Sequence, residues 1–397
     1  MKRIQAPWAV ALLCAVLLCV GPLSGCGSKN TALTVWCAAM DEEIITQMAK
    51  AYMAAHPAIK SIHIEICEDD DVRETLEGNP NADVDVICIP HDQLGALVAQ
   101  GFLQEITEEA HLGAIRENTL PSIRAGQVDR KQYGFPSSFE THMLFYDKSR
   151  VSDETAQTLE GILGGAAFGD SIPFGMDFAN AYYTANWFFT YGCMLFGEHG
   201  EDNTYCDFDS TAGIAAMTYL IDHRAAFGDL DGDAAMALFK EHKLDAYIGG
   251  PWHAAGITEA LGGNYGCAKL PRVDGKDMQS FAGFKLYCVN AHTKDKKAAM
   301  DLAAWFTNPD NQKTRFQARN LIPVALSLAD DMDVAVSTTA KAVMAQGAYA
   351  IAMPSIPEMS NFWVPTGEFT LACYLGEVPI GALPGALAEL TATILGK

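Results

Sequence analysis

The sequence predicts an α/β protein built as two lobes, each a mainly parallel sheet flanked by helices. Three observations carry this prediction. Short β-branched runs alternate with helical stretches along the chain, the pattern of βαβ units. The chain has 397 residues, more than one hydrophobic core usually fills. The stretch Ala82–Thr107 shows the repeating unit whole. Val84 to Ile89 is a short apolar run that reads as a buried strand, and Pro90 stops it. Leu94, Leu97, Val98 and Phe102 then recur at helical spacing, and Gly101 ends that helix. Between them Pro90-His91-Asp92-Gln93 makes a tight polar turn at a strand's carboxyl end, where open α/β sheets bind small ligands.

The N-terminal residues stand outside the fold. Lys2 and Arg3 precede an apolar run, Ala9 to Val20, too short to span a bilayer. Leu23-Ser24-Gly25-Cys26 follows and resembles a bacterial lipobox, which makes residues 1–25 a signal peptide and Cys26 the lipid anchor. An ordinary secretory signal beside a chance cysteine is the alternative. Residues 26–31 then form a flexible tether. No later stretch is apolar and long enough to cross a membrane.

Leu33 to Trp36 is the first strand, and Asp41-Glu42-Glu43 opens a helix with acids where the macrodipole favours them. Ser61 to Ile66 alternates as a second strand with one solvated face, on which His63 is a surface residue. Tyr133–Pro136 and Met143–Tyr146 are extended runs around a polar centre, suited to crossing between lobes. Leu159 to Gly169 is rich in Gly and Ala, and it opens the second lobe. Ala181 to Phe196 is apolar nearly all round and reads as a buried helix. Asp229 to Asp233 resembles part of a calcium loop but lacks the terminal Glu, so it reads as a turn and helix start. Asp245 to Gly249 is a strand, and Gly250-Pro251-Trp252 turns sharply at its end. Tyr265–Pro271 and Phe281–Val289 are further strands, while Lys294–Phe306 and Asn311–Ala318 are helices. Met353 to Met359 is extended and stiffened by two prolines, and Phe362-Trp363 opens a helical tail to Leu395.

Removing residues 1–25 takes away Lys2 and Arg3 and no acid, leaving 27 − 2 = 25 bases against 49 acids, a net of −24. Such a surface repels nucleic acid and acidic lipid, and suits a neutral or cationic ligand. The eight cysteines after Cys26 show no C-x-x-C pair and no zinc-like spacing, so no metal is expected. Buried free thiols are the expectation, with one or two disulfides as the alternative.

Five segments together carry a family resemblance: Leu33-Thr34-Val35-Trp36; Pro90 to Gly95; Tyr133–Pro136 through Glu140 to Lys148; Ile248 to Trp252; and Met353–Met359 to Trp363. In order and spacing they resemble the maltose/maltodextrin-binding proteins of ABC importers over nearly all of the mature chain. The resemblance implies a periplasmic-binding-protein fold with the ligand in a cleft between lobes. It divides the chain into residues 32–138 plus 287–333 and residues 139–286 plus 334–397, with Glu140 and Tyr287 near the crossings. It implies capture of an oligosaccharide, delivery to permease subunits, no cofactor, no catalysis, a monomer, and a place on the outer face of the cytoplasmic membrane.

Carried over residue by residue, Asp92 and Glu140 match acids that accept hydrogen bonds from sugar hydroxyls. Asp92 reads equally as a helix N-cap; for Glu140 a buried carboxylate with only structural partners is the alternative. Tyr182, Trp252 and Trp363 match aromatic platforms for pyranose faces, whose C–H surface and polar rim call for flat rings with acceptors at the edge. Asp41 matches the first-loop acid loosely, and Gln93 stands where the family has Arg. An aromatic is missing at Ile89 and an Arg near Gly367, so one platform and two cationic donors are absent at the family's positions. Another oligosaccharide or small solute is the alternative ligand. A glycoside hydrolase using Glu140, Asp92 or Asp177 is the alternative activity.

Overall fold

The computed structural model describes residues 31–164 and 171–397. The expected signal peptide, Cys26, the expected tether to residue 30 and part of the Gly/Ala-rich stretch lie outside the described residues.

Strands β1 (Thr31–Cys37), β2 (Ile59–Ile66) and β3 (Val86–Pro90) alternate with helices. A two-residue hairpin, β4 (Gln127–Val128) and β5 (Lys131–Gln132), precedes β6 (Gly134–Glu140). The chain then enters a second sheet through β7 (Met143–Asp147), β8 (Ile172–Met176), β9 (Phe227–Asp229), β10 (Leu244–Gly249) and β11 (Tyr265–Ala268). After a hairpin of β12 (Arg272–Val273) and β13 (Lys276–Asp277) it returns along β14 (Ser280–Val289), β15 (Ile322–Pro323) and β16 (Ala350–Ala352). The first sheet has the order β15-β6-β14-β3-β1-β2, with β16 beside the start of β14, and the second β11-β7-β10-β8-β9. Pairing is parallel where helices connect the strands, β1 with β2 and β3, and β8 with β9 and β10. It is antiparallel at β6, β7, β11 and the body of β14, where chain segments pass between lobes.

The predicted units form because their apolar faces have somewhere to go. β3 is wholly buried, whereas β2 is an edge strand with His63 exposed. The Glu42–Ala55 helix buries Ile44, Ile45, Met48 and Tyr52 against the first sheet. Two helical expectations were too long. The Ala181 helix stops at Thr190, because Gly192 turns with φ of 92°. The C-terminal tail breaks at Gly376, φ 80°, into helices Trp363–Leu375 and Leu383–Ile394. Asp231 caps a helix by accepting from the Ala234 N–H at 2.8 Å, which is the helix start the sequence predicted. Eight cysteines are free thiols among the described residues.

The crossings are tied together by buried side chains. Thr141, between β6 and β7, donates to the Phe281 carbonyl at 2.6 Å and accepts from the Ser280 hydroxyl at 2.8 Å. Gln346, on the helix that leads the chain back to the second lobe, donates to Ser280 Oγ and to the Met278 carbonyl, both at 3.0 Å. Its own oxygen accepts from the Leu270 N–H at 3.0 Å. All three crossings therefore meet in one satisfied polar knot.

Candidate functional site

A cavity of about 560 Å³ lies between the lobes. The first lobe supplies it with acids, each from the carboxyl end of a strand. Asp41 follows β1, Asp69 and Asp70 follow β2, Asp92 follows β3, and Glu140 ends β6. The second lobe supplies the rings of Tyr182, Tyr183, Trp252 and Trp363. All seven ligand residues expected from sequence, Asp41, Asp92, Gln93, Glu140, Tyr182, Trp252 and Trp363, line this one cavity.

The turn after β3 is fixed from beneath. His91 Nδ1 accepts from the Phe284 N–H at 3.2 Å, and its ring also bonds the backbone at Met353. Burial pushes that imidazole down to about 4, so it stays neutral and joins two crossing segments. Asp92 beside it takes only its own backbone N–H, and burial pushes its carboxyl up to about 7. Glu140 is also buried, no described residue donates a hydrogen bond to it, and desolvation raises its carboxyl. It lies flat over β14 because residue 283 is glycine: a Cβ there would sit 2.9 Å from Glu140 Cγ. Among the described residues Glu140 is thus an acceptor without a donor, and Asp92 takes a hydrogen bond from no residue but itself.

The rings are held at the edge of the second lobe's core. Asn180 caps the Ala181–Thr190 helix by accepting from the Tyr182 N–H at 2.9 Å. The Tyr182 ring is near-parallel to Phe281 at 6.2 Å and 12°, and meets His142 edge-on at 4.2 Å. Trp252 lies 6.3 Å from Tyr182 and bonds the Tyr183 side chain. Gly250 makes that position available, since a Cβ would approach the indole to 2.2 Å. Trp363 packs 5.8 Å from Phe281, its ring tilted by 59°, and lines the cavity. Each platform is half-buried, unlike Trp187, which is wholly core.

Two expected ligand residues are already engaged. Asp41 pairs with Arg315 at 3.3 Å and Arg319 at 2.5 Å. The Gln93 amide donates to the Asp69 and Asp70 carbonyls at 3.0 and 3.1 Å and accepts from the Arg73 N–H at 3.2 Å. It thus pins the acidic loop after β2. The missing cations are a point of correction, because Lys285, Arg315 and Arg319 line the cavity from other parts of the chain. No side chain fits at Gly367, where a Cβ would sit 2.1 Å from the Ala179 carbonyl oxygen. Ile89 is fully buried in β3 and offers no platform. Tyr287 lies inside the first lobe, with the Arg315 guanidinium 4.9 Å above its ring. No cluster of three or more potential metal-binding side chains occurs among the described residues.

The family model for bacterial extracellular solute-binding proteins matches residues 47–345. A galactooligosaccharide-binding protein of Bacillus subtilis is 30% identical over 389 residues, covering 90% of each chain. A maltooligosaccharide ABC transporter solute-binding lipoprotein of Streptococcus pneumoniae is 27% identical over 311 residues, 74% of this chain and 72% of that one. Among solved structures, the Thermus thermophilus maltotriose-binding protein bound with maltotriose superposes with a TM-score of 0.80 at 21% identity, covering 92% of this chain and 99% of that one. The two-lobed fold is shared.

Proposed function

The chain belongs to the bacterial extracellular solute-binding protein family, and on that premise we propose that it captures a short oligosaccharide of the maltodextrin type and presents it to the permease of an ABC importer. One observation carries this: two buried carboxylates, Asp92 and Glu140, which take no hydrogen bond from any other described residue, face half-buried aromatic planes across one cavity. A pyranose needs acceptors at its hydroxyl rim and flat apolar surface at its C–H faces. Because the acids and the rings belong to different lobes, a bound sugar bridges them and favours the closed arrangement. The protein acts by binding alone, as a monomer anchored through Cys26 outside the cytoplasmic membrane.

A thermal-shift screen tests the ligand, since a molecule bound only by the folded state adds about 2.7 kcal/mol at a hundredfold excess over Kd. Maltotriose should raise the melting temperature, and silence from every α-1,4 glucan at millimolar concentration would remove the maltodextrin assignment. The galactooligosaccharide relative, at 30% identity, favours a second reading, so β-linked galactosyl oligosaccharides form the other arm. Chromatography of maltodextrin after long incubation should show no shorter products, whereas shortening would make the protein a hydrolase.

A further inference from the structure

Lys285 interrupts the apolar run of β14, where it pairs with Pro90 on one side and Ser138 on the other. Its ammonium reaches the cavity floor, 2.9 Å from Asp69 Oδ2. The other cavity cations have carboxylate partners of their own: Arg315 and Arg319 pair with Asp41, and Arg73 with Glu77. Around Glu140 stand Lys285 from β14, Asp69 and Asp70 from the loop after β2, Asp41 after β1, Asp92 after β3, and Tyr182 and Tyr183 from the Ala181 helix. Of these only Lys285 is positive. Because Gly283 stands opposite Glu140 and Lys285 opposite Ser138, Lys285 and Glu140 are diagonal neighbours on adjacent strands. Desolvation raises the carboxyls of Glu140 and Asp69, and the nearby ammonium opposes it at both. The difference matters because a protonated carboxyl gives up acceptor capacity that ligand hydroxyls require.

We propose that Lys285 is a positioning residue whose charge keeps Glu140 and Asp69 available as hydroxyl acceptors, and so sets the pH range over which ligand is held. The inference rests on the oligosaccharide reading above, because hydroxyl donors are what those acceptors serve. Lys285→Met keeps the aliphatic stem and removes the charge, Lys285→Arg restores a charge, and Lys285→Gln repeats the test should the methionine variant fail to fold.

Two measurements decide it. The first needs no ligand: carbon-13 titration of the Glu140 carboxyl, assigned by its loss in Glu140→Gln. Its midpoint should move to higher pH in Lys285→Met and return in Lys285→Arg. The second is calorimetry with maltotriose between pH 5 and 9 in buffers of differing ionisation enthalpy. Lys285→Met should bind about 10- to 100-fold more weakly at pH 7, the range for a lost charge-assisted hydrogen bond. It should recover toward pH 9 and release more protons on binding than the native chain. An affinity loss equal at every pH, or an unmoved Glu140 midpoint, overturns the proposal. If the native chain binds no sugar, the functional reading falls, while the carboxyl titration still judges Lys285.

Discussion

Replacing Gly250 by alanine tests the aromatic platform without removing a ring. The backbone there is extended, φ −103° and ψ 170°, so alanine introduces no strain of its own. The new Cβ would lie 2.2 Å from Cη2 and Cζ2 of Trp252. Carbon atoms rest about 3.5–4.0 Å apart, so the indole must withdraw by more than about 1 Å. Calorimetric titration should show roughly tenfold weaker sugar binding, about 1.4 kcal/mol. Trp252→Ala should cost more, about 2–4 kcal/mol, and because the ring is half-buried, melting should change little. Trp187→Ala is the contrast: that ring is fully buried, and a cavity there should cost about 3–5 kcal/mol of stability. A Gly250→Ala protein that binds as tightly as the parent would refute the platform. So would a Trp252→Ala protein that melts far lower yet binds as before.

Asp92 provides a test by pH. Its carboxyl holds a proton up to about 7 in the folded chain against 3.8 ordinarily, so folding takes up a proton between those values. Its burial therefore costs nothing below pH 4 and at most about 4 kcal/mol above pH 7. Denaturant titrations should find Asp92→Asn gaining stability relative to the parent as pH rises through that window. His91, pushed down to about 4, bends the parent's own curve the opposite way, which is why the difference between the two proteins is read. Cys26→Ala should move the protein from the membrane to the soluble fraction, and sedimentation as tight as the parent's would end the lipid-anchor proposal. Solution scattering should give a smaller radius of gyration with maltotriose than without, and an unchanged radius would argue against lobe closure.

What the sequence disclosed and what it hid divide along physical lines. The unit around β3 was legible because a buried strand, a proline stop and a helical stripe are local signals. Trp252 was legible because a tryptophan just after Gly-Pro at a strand end has no apolar face to join. Lys285 was hidden because one lysine in an apolar run says nothing about which acids lie across from it. Arg315 lay in the helix expected over Asn311–Ala318 with nothing to mark its partner, and that partner, Asp41, is 274 residues away. Gln93 lined the cavity as expected, yet its amide serves the backbone of the loop after β2, a role fixed by tertiary contact alone. The closeness of Gly367 to Ala179 is likewise a property of two packed elements.

The place of β14 bears on how the chain assembles. It lies between β3 and β6 in the first sheet, although both are complete by Glu140. His91 and Phe284, which join across that seam, are 193 residues apart. Every strand of the second sheet is synthesised in the interval. A chain emerging from its N-terminus thus carries two unjoined fragments of one sheet, each with an apolar edge exposed, until Val289 has appeared. Such non-local pairing is slow. The second sheet can form while the first is still in halves, and the interval before β14 inserts is when the nascent chain is most exposed to pairing with a neighbour.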